Sequence, residues 1–355
     1  MRIVETLSAS TGGIGRHVAD LAPRLAALGH DVTVLCPPAT AVAHDLAGLD
    51  VGPPRRLARL AGVDVVHAHG YKAAAAALFW TRLRRIPLVV TWHNAVLADG
   101  VAGRVGRALQ VVVARGADLT LGASQDLVVT ARAAGARHAE LGPVAAPRLA
   151  LPAVARDRYR SELGLGPADV LVVTVGRLAP QKNLGLVLGV ADRLADRSEL
   201  AFVLAGGGPL HDDLAARAAR APGRVRLLGP VDDVASLLAA ADLMLLSSTW
   251  EARALVAQEA LAAGLPLVST RVGGIVELVA DAAVLVDPGD VEAAAAAVLA
   301  LADDPDRRAA LAAAGRRRAA DWPDEDQVAR DLAGTYARLV QRRTGRHSTR
   351  RRPPT

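Results

Sequence analysis

The chain has 355 residues, 52% apolar, 22% charged and 3% aromatic, with a formal net charge of +6. That length suggests two domains and the apolar share is enough for two cores, while no uninterrupted apolar run could span a bilayer. A single cysteine, Cys36, excludes an intramolecular disulfide framework and fits a reducing cytoplasm.

The start, MRIVETLSAS, reads as a strand (Arg2–Leu7) and a turn rather than a secretion leader. Ile14, Val18, Leu21, Leu25 and Leu28 then recur at helical spacing up to Gly29. Strands are expected at Asp31–Cys36, Val63–His67, Pro87–Trp92 and Ala117–Gly122, each followed by a helical stretch. Such alternation predicts a parallel sheet covered by helices on both faces, a Rossmann-like domain over residues 1–141. Residues 142–169, rich in proline and polar residues, read as an interdomain connection containing one short helix.

Alternation restarts with strands at Val170–Gly176, Leu200–Ala205, Val225–Leu228, Leu243–Ser247, Leu265–Thr270 and Ala283–Val286, which define a second domain over 170–322. A last amphipathic helix, 323–342, carries Val328, Leu332, Tyr336 and Leu339 on one face. The basic end, 343–355, has almost nothing to bury and is expected to be disordered. The predicted fold class is therefore α/β: two doubly wound, Rossmann-like domains facing across a cleft, with ligands at the carboxyl ends of the strands.

Several constellations could carry chemistry there. Glu251 is expected in the loop after the strand ADLMLLSS, and Glu259 about a turn into the next helix, whose N-terminus suits an anion. Gly12, Gly13 and Gly15 stand between strand and helix, where a phosphate loop and a plain tight turn are both open. The spacing is not G-x-G-x-x-G and no acid closes the second strand, which disfavours nicotinamide cofactors. In VGRLAPQKN, Arg177 and Lys182 could hold a diphosphate at the edge of the second sheet, or be surface cations beside a turn. Lys182 is one of only two lysines, with Lys72, in an arginine-rich chain. A lysine that persists under such a bias points to a need for the compact ammonium. The glycines of Ala205–Pro209 (AGGGP) allow close passage of chain or ligand.

His67 and His69 (VVHAHG) and His93 (TWHN) are expected at strand ends. The H-x-H pair invites zinc, but no cysteine or spaced acid completes a set, and D-x-D occurs only at helix starts (Asp304–Asp306, Asp324–Asp326), where acids cap. No metal site is expected, and His93 more usefully hydrogen-bonds a phosphate or sugar hydroxyl.

Taken in order, GGIGRHV, LAALGHDVTVL, VVTWHN, VGRLAPQKN, AGGGP, LLGPVDDVASLLAAADLMLLSS and the E-x7-E of Glu251 and Glu259 resemble the retaining glycosyltransferases of family 4, which have the GT-B fold. The resemblance runs from the first strand almost to the last helix. It implies a metal-independent transfer of sugar from a nucleotide-diphosphate sugar, UDP- or GDP-linked, to a small-molecule or lipid-linked acceptor, with no other cofactor. It implies that Glu251 holds the transferred sugar and Glu259 the ribose. Arg177 and Lys182 would contact the diphosphate with the N–H groups of Gly12, Gly13, Leu255 and Val256, while Gly207 and the backbone of Leu228 and Gly229 lie at the nucleotide and His93 beside the sugar. Front-face attack, helped by the leaving phosphate, would need no protein nucleophile. The last helix would return to domain one.

Two departures stand out. Where the family usually reads E-G-F-G-L-V this chain has Glu251-Ala252-Arg253-Ala254-Leu255-Val256, and VAAP (Val144–Pro147) replaces the usual Asn-Gly. A degenerate nucleotide-sugar-binding protein, or a GT-B epimerase or phosphorylase, is the alternative. Acceptor contacts are expected around Arg16, Tyr71 and Lys72. The basic, aromatic helix end at Trp80, Arg82, Arg84 and Arg85 could rest on an anionic membrane, making the enzyme cytoplasmic and peripheral on the inner face. Dispersed basic residues and scarce aromatics disfavour nucleic acid.

Overall fold

Short strands apolar on both faces need helices on both sides, and this chain forms two such sheets. The computed structural model describes residues 1–10, 12–46, 48–142, 145, 152–220 and 224–349. The chain divides into unit 1, Met1–Ala145 with Pro323–Thr355, and unit 2, Ala146–Trp322.

Unit 1 has strands β1 (Arg2–Leu7), β2 (Asp31–Leu35), β3 (Asp50–Gly52), β4 (Val65–His69), β5 (Leu88–Trp92), β6 (Leu119–Gly122) and β7 (Ala139–Leu141). Their order is β3-β2-β1-β4-β5-β6-β7 and the pairing is parallel. The outermost strands β3 and β7 escaped the sequence reading because three residues carry no period. Strand β4 lies two residues later than expected, so His67 falls inside it rather than at its end. His67 pairs in register with Glu5 and Val89, and His69 with Leu7 and Thr91. Those pairings put charged and polar side chains on a strand surface that is otherwise apolar.

The core of unit 1 joins Ile3, Leu7, Val34 and Leu119 of the sheet to Val18, Leu21 and Leu25 of helix Gly13–Ala27. The last helix, Glu325–Thr349, completes the same core through Ala329 and Tyr336, and Arg24 bonds its first residues Glu325 and Asp326 at 3.1 and 2.9 Å. This helix continues through 343–349, the first part of the segment expected to be disordered; 350–355 lie outside the described residues. So does most of the VAAP segment.

Unit 2 has β8 (Val170–Val175), β9 (Leu200–Ala205), β10 (Arg224–Gly229), β11 (Leu243–Leu246), β12 (Leu267–Thr270) and β13 (Val284–Val286). They form a parallel sheet in the order β10-β9-β8-β11-β12-β13. One face packs Phe202, Leu243 and Leu245 on helices Leu184–Arg193 and Val291–Ala302; the other packs Met244 and Leu246 on helix Leu255–Ala263. The one short helix expected in the connection is Arg156–Glu162, anchored by buried Arg160 on Asp242 at 2.8 Å. Asp304 caps helix Pro305–Ala320 through the Arg307 N–H at 2.8 Å, and Asp324 accepts from the Gln327 N–H at 2.7 Å, so both D-x-D segments begin helices. In each sheet the strand order reverses once, between β1 and β4 and between β8 and β11. Outside such a reversal the loops diverge and leave room for a ligand.

Candidate active site

The reversal in unit 2 is where the predicted residues gather. The loop leaving β8 carries Gly176, Arg177 and Lys182, and the loop leaving β11 carries Ser247 to Glu251. Lys182 Nζ donates to Glu251 Oε1 at 2.5 Å, and Ser248 Oγ donates to the same oxygen at 2.7 Å. The loops are pinned to each other: Ser247 Oγ donates to the Lys182 carbonyl at 2.7 Å, Thr249 N–H to that of Gln181 at 2.8 Å, and the Gln181 amide to that of Trp250 at 2.7 Å. A carboxylate and an ammonium so held are positioned before any ligand arrives. Lys182 also lines a small recess with Gly176, Thr174 and Ser247. The exposed guanidinium of Arg177, on the same loop, has no hydrogen-bond or ion-pair partner among the described residues.

Helix Leu255–Ala263 begins four residues past Glu251, just after the extended capping residue Ala254. Leu255 and Val256 occupy its first two positions, where an N–H has no acceptor within the helix. Glu259 is buried on the next turn. Glu251, Lys182, Arg177, Glu259, Leu255 and Val256 thus share the carboxyl edge of one sheet.

The glycines of the AGGGP loop have a packing reason. A Cβ at Gly206, whose φ is +142°, would meet the Gly176 carbonyl oxygen at 1.9 Å, and one at Gly208 the Leu178 oxygen at 2.4 Å. At Gly207 the nearest atom would be Pro230 Cγ, at 3.3 Å. Gly206 N–H donates to the Gly229 carbonyl at 2.7 Å, and the register of β10 shifts between Leu227 and Gly229, a bulge that sets Leu228 apart at the strand's end.

The altered segment is accommodated. Ala254 has φ −70° and ψ 106°, ordinary backbone for any L-residue. Arg253 turns into the protein: its guanidinium lies 5.5 Å from the centre of the Trp322 ring. With the Gln258 amide oriented oxygen-inward, that oxygen accepts from Arg253 at 3.0 and 3.1 Å. Burial lowers this guanidinium to about 10, against the pull of Glu277. The sequence pattern alone did not announce this packing of Arg253.

In unit 1 the reversal holds a pocket of about 270 Å3, lined by Ser8 and Ser10 after β1, His69 to Lys72 after β4, and Asn94 and Val96 after β5. Two of the expected acceptor residues are here. Tyr71 OH donates to the Asn94 carbonyl at 2.7 Å and accepts from Gln110 at 2.9 Å, while Lys72 is exposed. Arg16, exposed on the first helix, is not among the lining residues. Gly12 precedes that helix with open space around it, Gly13 begins it, and a Cβ at Gly15 would meet the His44 ring at 2.1 Å, so that ring would have to turn aside. Of the basic helix end, Arg82 donates to the Gly116 carbonyl at 2.8 Å and Arg84 to the Leu60 carbonyl at 2.6 Å, so both are bonded within the unit; Phe79 and Leu83 beside them are exposed.

Behind the pocket lies a buried network that the sequence reading found only in part. Glu5 on β1 is fully buried; its Oε2 accepts from His69 Nε2 at 2.7 Å and its Oε1 from Tyr336 OH at 3.2 Å. His67 bonds Tyr336 OH at 2.6 Å and Thr91 Oγ1 at 2.7 Å, and His69 Nδ1 lies 3.1 Å from His93 Nε2. Burial acts to raise the Glu5 carboxyl, but His67 and His69 outweigh it and hold the carboxyl far below the usual range. Burial, with neighbouring histidines, pushes His69 down to about 4, His17 to about 3 and His93 well below its ordinary value. The donor atoms of Glu5, His67 and His69 lie within 4.8 Å of one another. Two ligands on one tetrahedral zinc would stand roughly 3.3 Å apart, whereas Glu5 and His69 are at hydrogen-bonding distance. The signal for Glu5 was legible: an acid inside an apolar strand needs a buried partner.

These two α/β units have the fold of GT-B glycosyltransferases. Anabaena HepE, solved with UDP, superposes with a TM-score of 0.84 at 22% identity over 95% of this chain and 100% of its own. WaaG, a glycosyltransferase of lipopolysaccharide biosynthesis, does so at 0.71 and 16% over 93% of this chain and 98% of its own. Residues 12–147 match the glycosyl transferase 4-like domain and residues 155–318 the glycosyl transferases of group 1. Glycogen synthase of Mycobacterium tuberculosis H37Rv is 32% identical over 77% of this chain and 68% of its own length. The chain belongs to the group 1 family of glycosyltransferases. It is also 28% identical to the sulfoquinovosyl transferase SQD2 of Arabidopsis thaliana over 64% of its residues, and spans about half, 48%, of that relative's length.

Proposed function

We propose that the protein moves a sugar from a nucleotide-diphosphate sugar, UDP- or GDP-linked, to a small-molecule or lipid-linked acceptor, with retention of anomeric configuration and without a metal ion. The observation that carries this is the Lys182–Glu251 pair at the strand reversal of unit 2, beside unpartnered Arg177 and the start of helix Leu255–Ala263. Breaking the anomeric bond leaves positive charge on the sugar and negative charge on the diphosphate. Lys182, Arg177 and the N–H groups of Leu255 and Val256 form a fixed positive field for the latter. A hydrogen bond from a sugar hydroxyl to Glu251 replaces part of the carboxylate's bond to Lys182 and frees the ammonium for phosphate. Glu259 takes the ribose hydroxyls, and the backbone of Gly207, Leu228 and Gly229 borders the base. In unit 1, the N–H groups of Gly12 and Gly13 suit a phosphate and His93 a sugar hydroxyl. HepE is solved with UDP and with UDP-glucose, which supports trying uridine donors first. Exposed Phe79 and Leu83 favour a lipid-linked acceptor and a peripheral membrane position.

Thermal unfolding with UDP- and GDP-sugars, and nucleotide release with a panel of acceptors, test this. The expected result is a donor-dependent rise in Tm, release indifferent to chelator, a product of unchanged anomeric configuration by NMR, and a loss of roughly 100- to 1,000-fold in Lys182→Ala. Repeating the assay with anionic vesicles reads the membrane part. No thermal shift with any donor, or an inverted product, would overturn it.

A further inference from the structure

A surface helix ordinarily turns its polar residues outward, and two helices of unit 1 do the reverse. Helix Gly100–Gly116 buries Gln110, Val113 and Ala114 and turns Val101, Val105, Ala108 and Val112 to solvent. Those four follow one another at spacings of four, three and four residues, which makes a straight stripe about 17 Å long. Its three valines are 52–67% exposed. Arg104, Arg107 and Arg115 flank one side of the stripe, exposed and without an ion-pair partner among the described residues. Helix Tyr71–Arg84 follows the same rule: Ala73, Ala77 and Thr81 are buried, while Lys72, Ala76, Phe79 and Leu83 face out. The two helices are neighbours, tied by Gln110 to Tyr71 at 2.9 Å and by Arg82 to the Gly116 carbonyl at 2.8 Å.

From Tyr71 to Gly116 the chain has seven lysines and arginines and one acid, Asp99. We infer that the outward face of this helix pair rests on a bilayer carrying anionic lipids, with Val101, Val105, Val112, Phe79 and Leu83 entering the headgroup layer and the arginines meeting lipid phosphates. This gives a surface to the peripheral position proposed above, and rests on that reading for its purpose. The charges involved are not those at the end of helix Tyr71–Arg84, because Arg82 and Arg84 bond carbonyl groups within the unit. They are Arg104, Arg107 and Arg115, with Lys72 at the start of the neighbouring helix.

Charge decides between the occupants such a face could take. A second copy of the chain would bring the same acid-poor surface and leave the arginines nothing to pair with. An anionic bilayer supplies an apolar layer and a negative surface together, and it asks for a convex face rather than a groove. The same two helices also line the 270 Å3 pocket, through Tyr71 and Lys72 of one and Gly106 and Leu109 of the other. A bilayer on this face therefore sets lipid headgroups beside the pocket expected to take the acceptor.

Full-length protein sedimented with vesicles of phosphatidylcholine, alone or mixed with phosphatidylglycerol, tests this. The mixed vesicles should bind it about tenfold or more tightly than the neutral ones, an advantage lost in high salt. Val105→Glu combined with Val112→Glu should weaken binding to mixed vesicles about tenfold or more, and Arg104→Gln combined with Arg107→Gln by a similar factor. Val42→Glu should change nothing: Val42 is 83% exposed, but its helix Pro38–Ala43 packs through Ala41 on the core of the first and last helices. All these side chains are exposed, so Tm should hold in every variant. Equal binding of wild type and the double glutamate variant would overturn the inference, as would failure to bind either kind of vesicle. So would a dimer in sedimentation velocity that the glutamates disperse, which means a second copy, or retention on heparin without vesicle binding, which means an acidic macromolecule. UDP affinity separates the two proposals: its absence condemns the transferase reading, whereas UDP binding without vesicle binding condemns only this one.

Discussion

At the carboxyl end of β8, Lys182 and Glu251 meet as ions whose side chains keep 20% and 10% of their exposure. At the carboxyl end of β4, His67 and His69 contact one carboxylate, Glu5, that has no exposure at all, and burial lowers His69 together with nearby His17 and His93. Both places lie at the strand reversal of a parallel sheet, yet they are suited to different work. Charges near water can change partners when a charged ligand comes in, because solvent absorbs part of the cost. A desolvated carboxylate cannot do so; around it only protons can move cheaply, and neutral imidazoles are the groups that move them. Of the nine histidines only His211 belongs to unit 2, where it is half-buried.

The two edges should therefore part company in acid, and this is the largest effect expected. His69 and His17 stay neutral in the folded protein down to about 4 and about 3, while in the unfolded chain they take up protons near 6.5. Groups lowered by folding favour the folded state above their unfolded value and weaken it as pH falls. Each histidine costs about 1.4 kcal/mol per pH unit below 6.5, on the order of 6 kcal/mol for the two together by pH 4. Glu5 acts in the same direction, since it remains ionised where the unfolded chain protonates, below 4.5. Hydrogen exchange followed by mass spectrometry, corrected for intrinsic rates, should show unit 1 opening between pH 6.5 and 4 while unit 2 holds. Simultaneous opening of both units would mean that the histidines are not what separates them.

The glycine loops sharpen the comparison at a middle scale. Gly206→Ala in unit 2 drives a methyl group into the Gly176 carbonyl and asks alanine to hold φ +142°, a combined cost of about 2–5 kcal/mol. Gly12→Ala in unit 1 has open space and an extended φ of −131°, and should change stability by less than about 0.5 kcal/mol. Denaturant midpoints measure both. If Gly12→Ala nevertheless weakens UDP binding, that glycine serves the phosphate and not the turn.

How much of this could be read beforehand depended on range along the chain. The strands of unit 2 and the grouping of Lys182, Glu251 and Glu259 followed from local patterns: an apolar run, then polar residues, then a helix. Glu5 stood in plain view within RIVETL, but its meaning lies in His69 and Tyr336, 64 and 331 residues away, and no periodicity connects them. Tyr336 was legible as an apolar-face position, not as a donor. The triple glycine was ambiguous because close packing and ligand approach demand the same residue, and only the positions of the Gly176 and Leu178 carbonyls separate the two.

The smallest effect concerns Arg253, the residue that departs most from the family pattern. Its guanidinium is shared between the Trp322 face and Gln258, both within unit 2. Replacing it by leucine removes a cation–π contact of about 0.5–2 kcal/mol together with two hydrogen bonds, but also relieves the burial that lowers its pKa. These terms oppose each other, and Arg253→Leu should shift stability by under about 1 kcal/mol. Its UDP affinity, read by calorimetry, should stay within about twofold, less than 0.5 kcal/mol. A tenfold loss of affinity at unchanged Tm would show that Arg253 leaves Trp322 for the phosphates when a donor binds. The positive field of unit 2 would then comprise three side chains, with Arg253 joining Arg177 and Lys182 only in the liganded state.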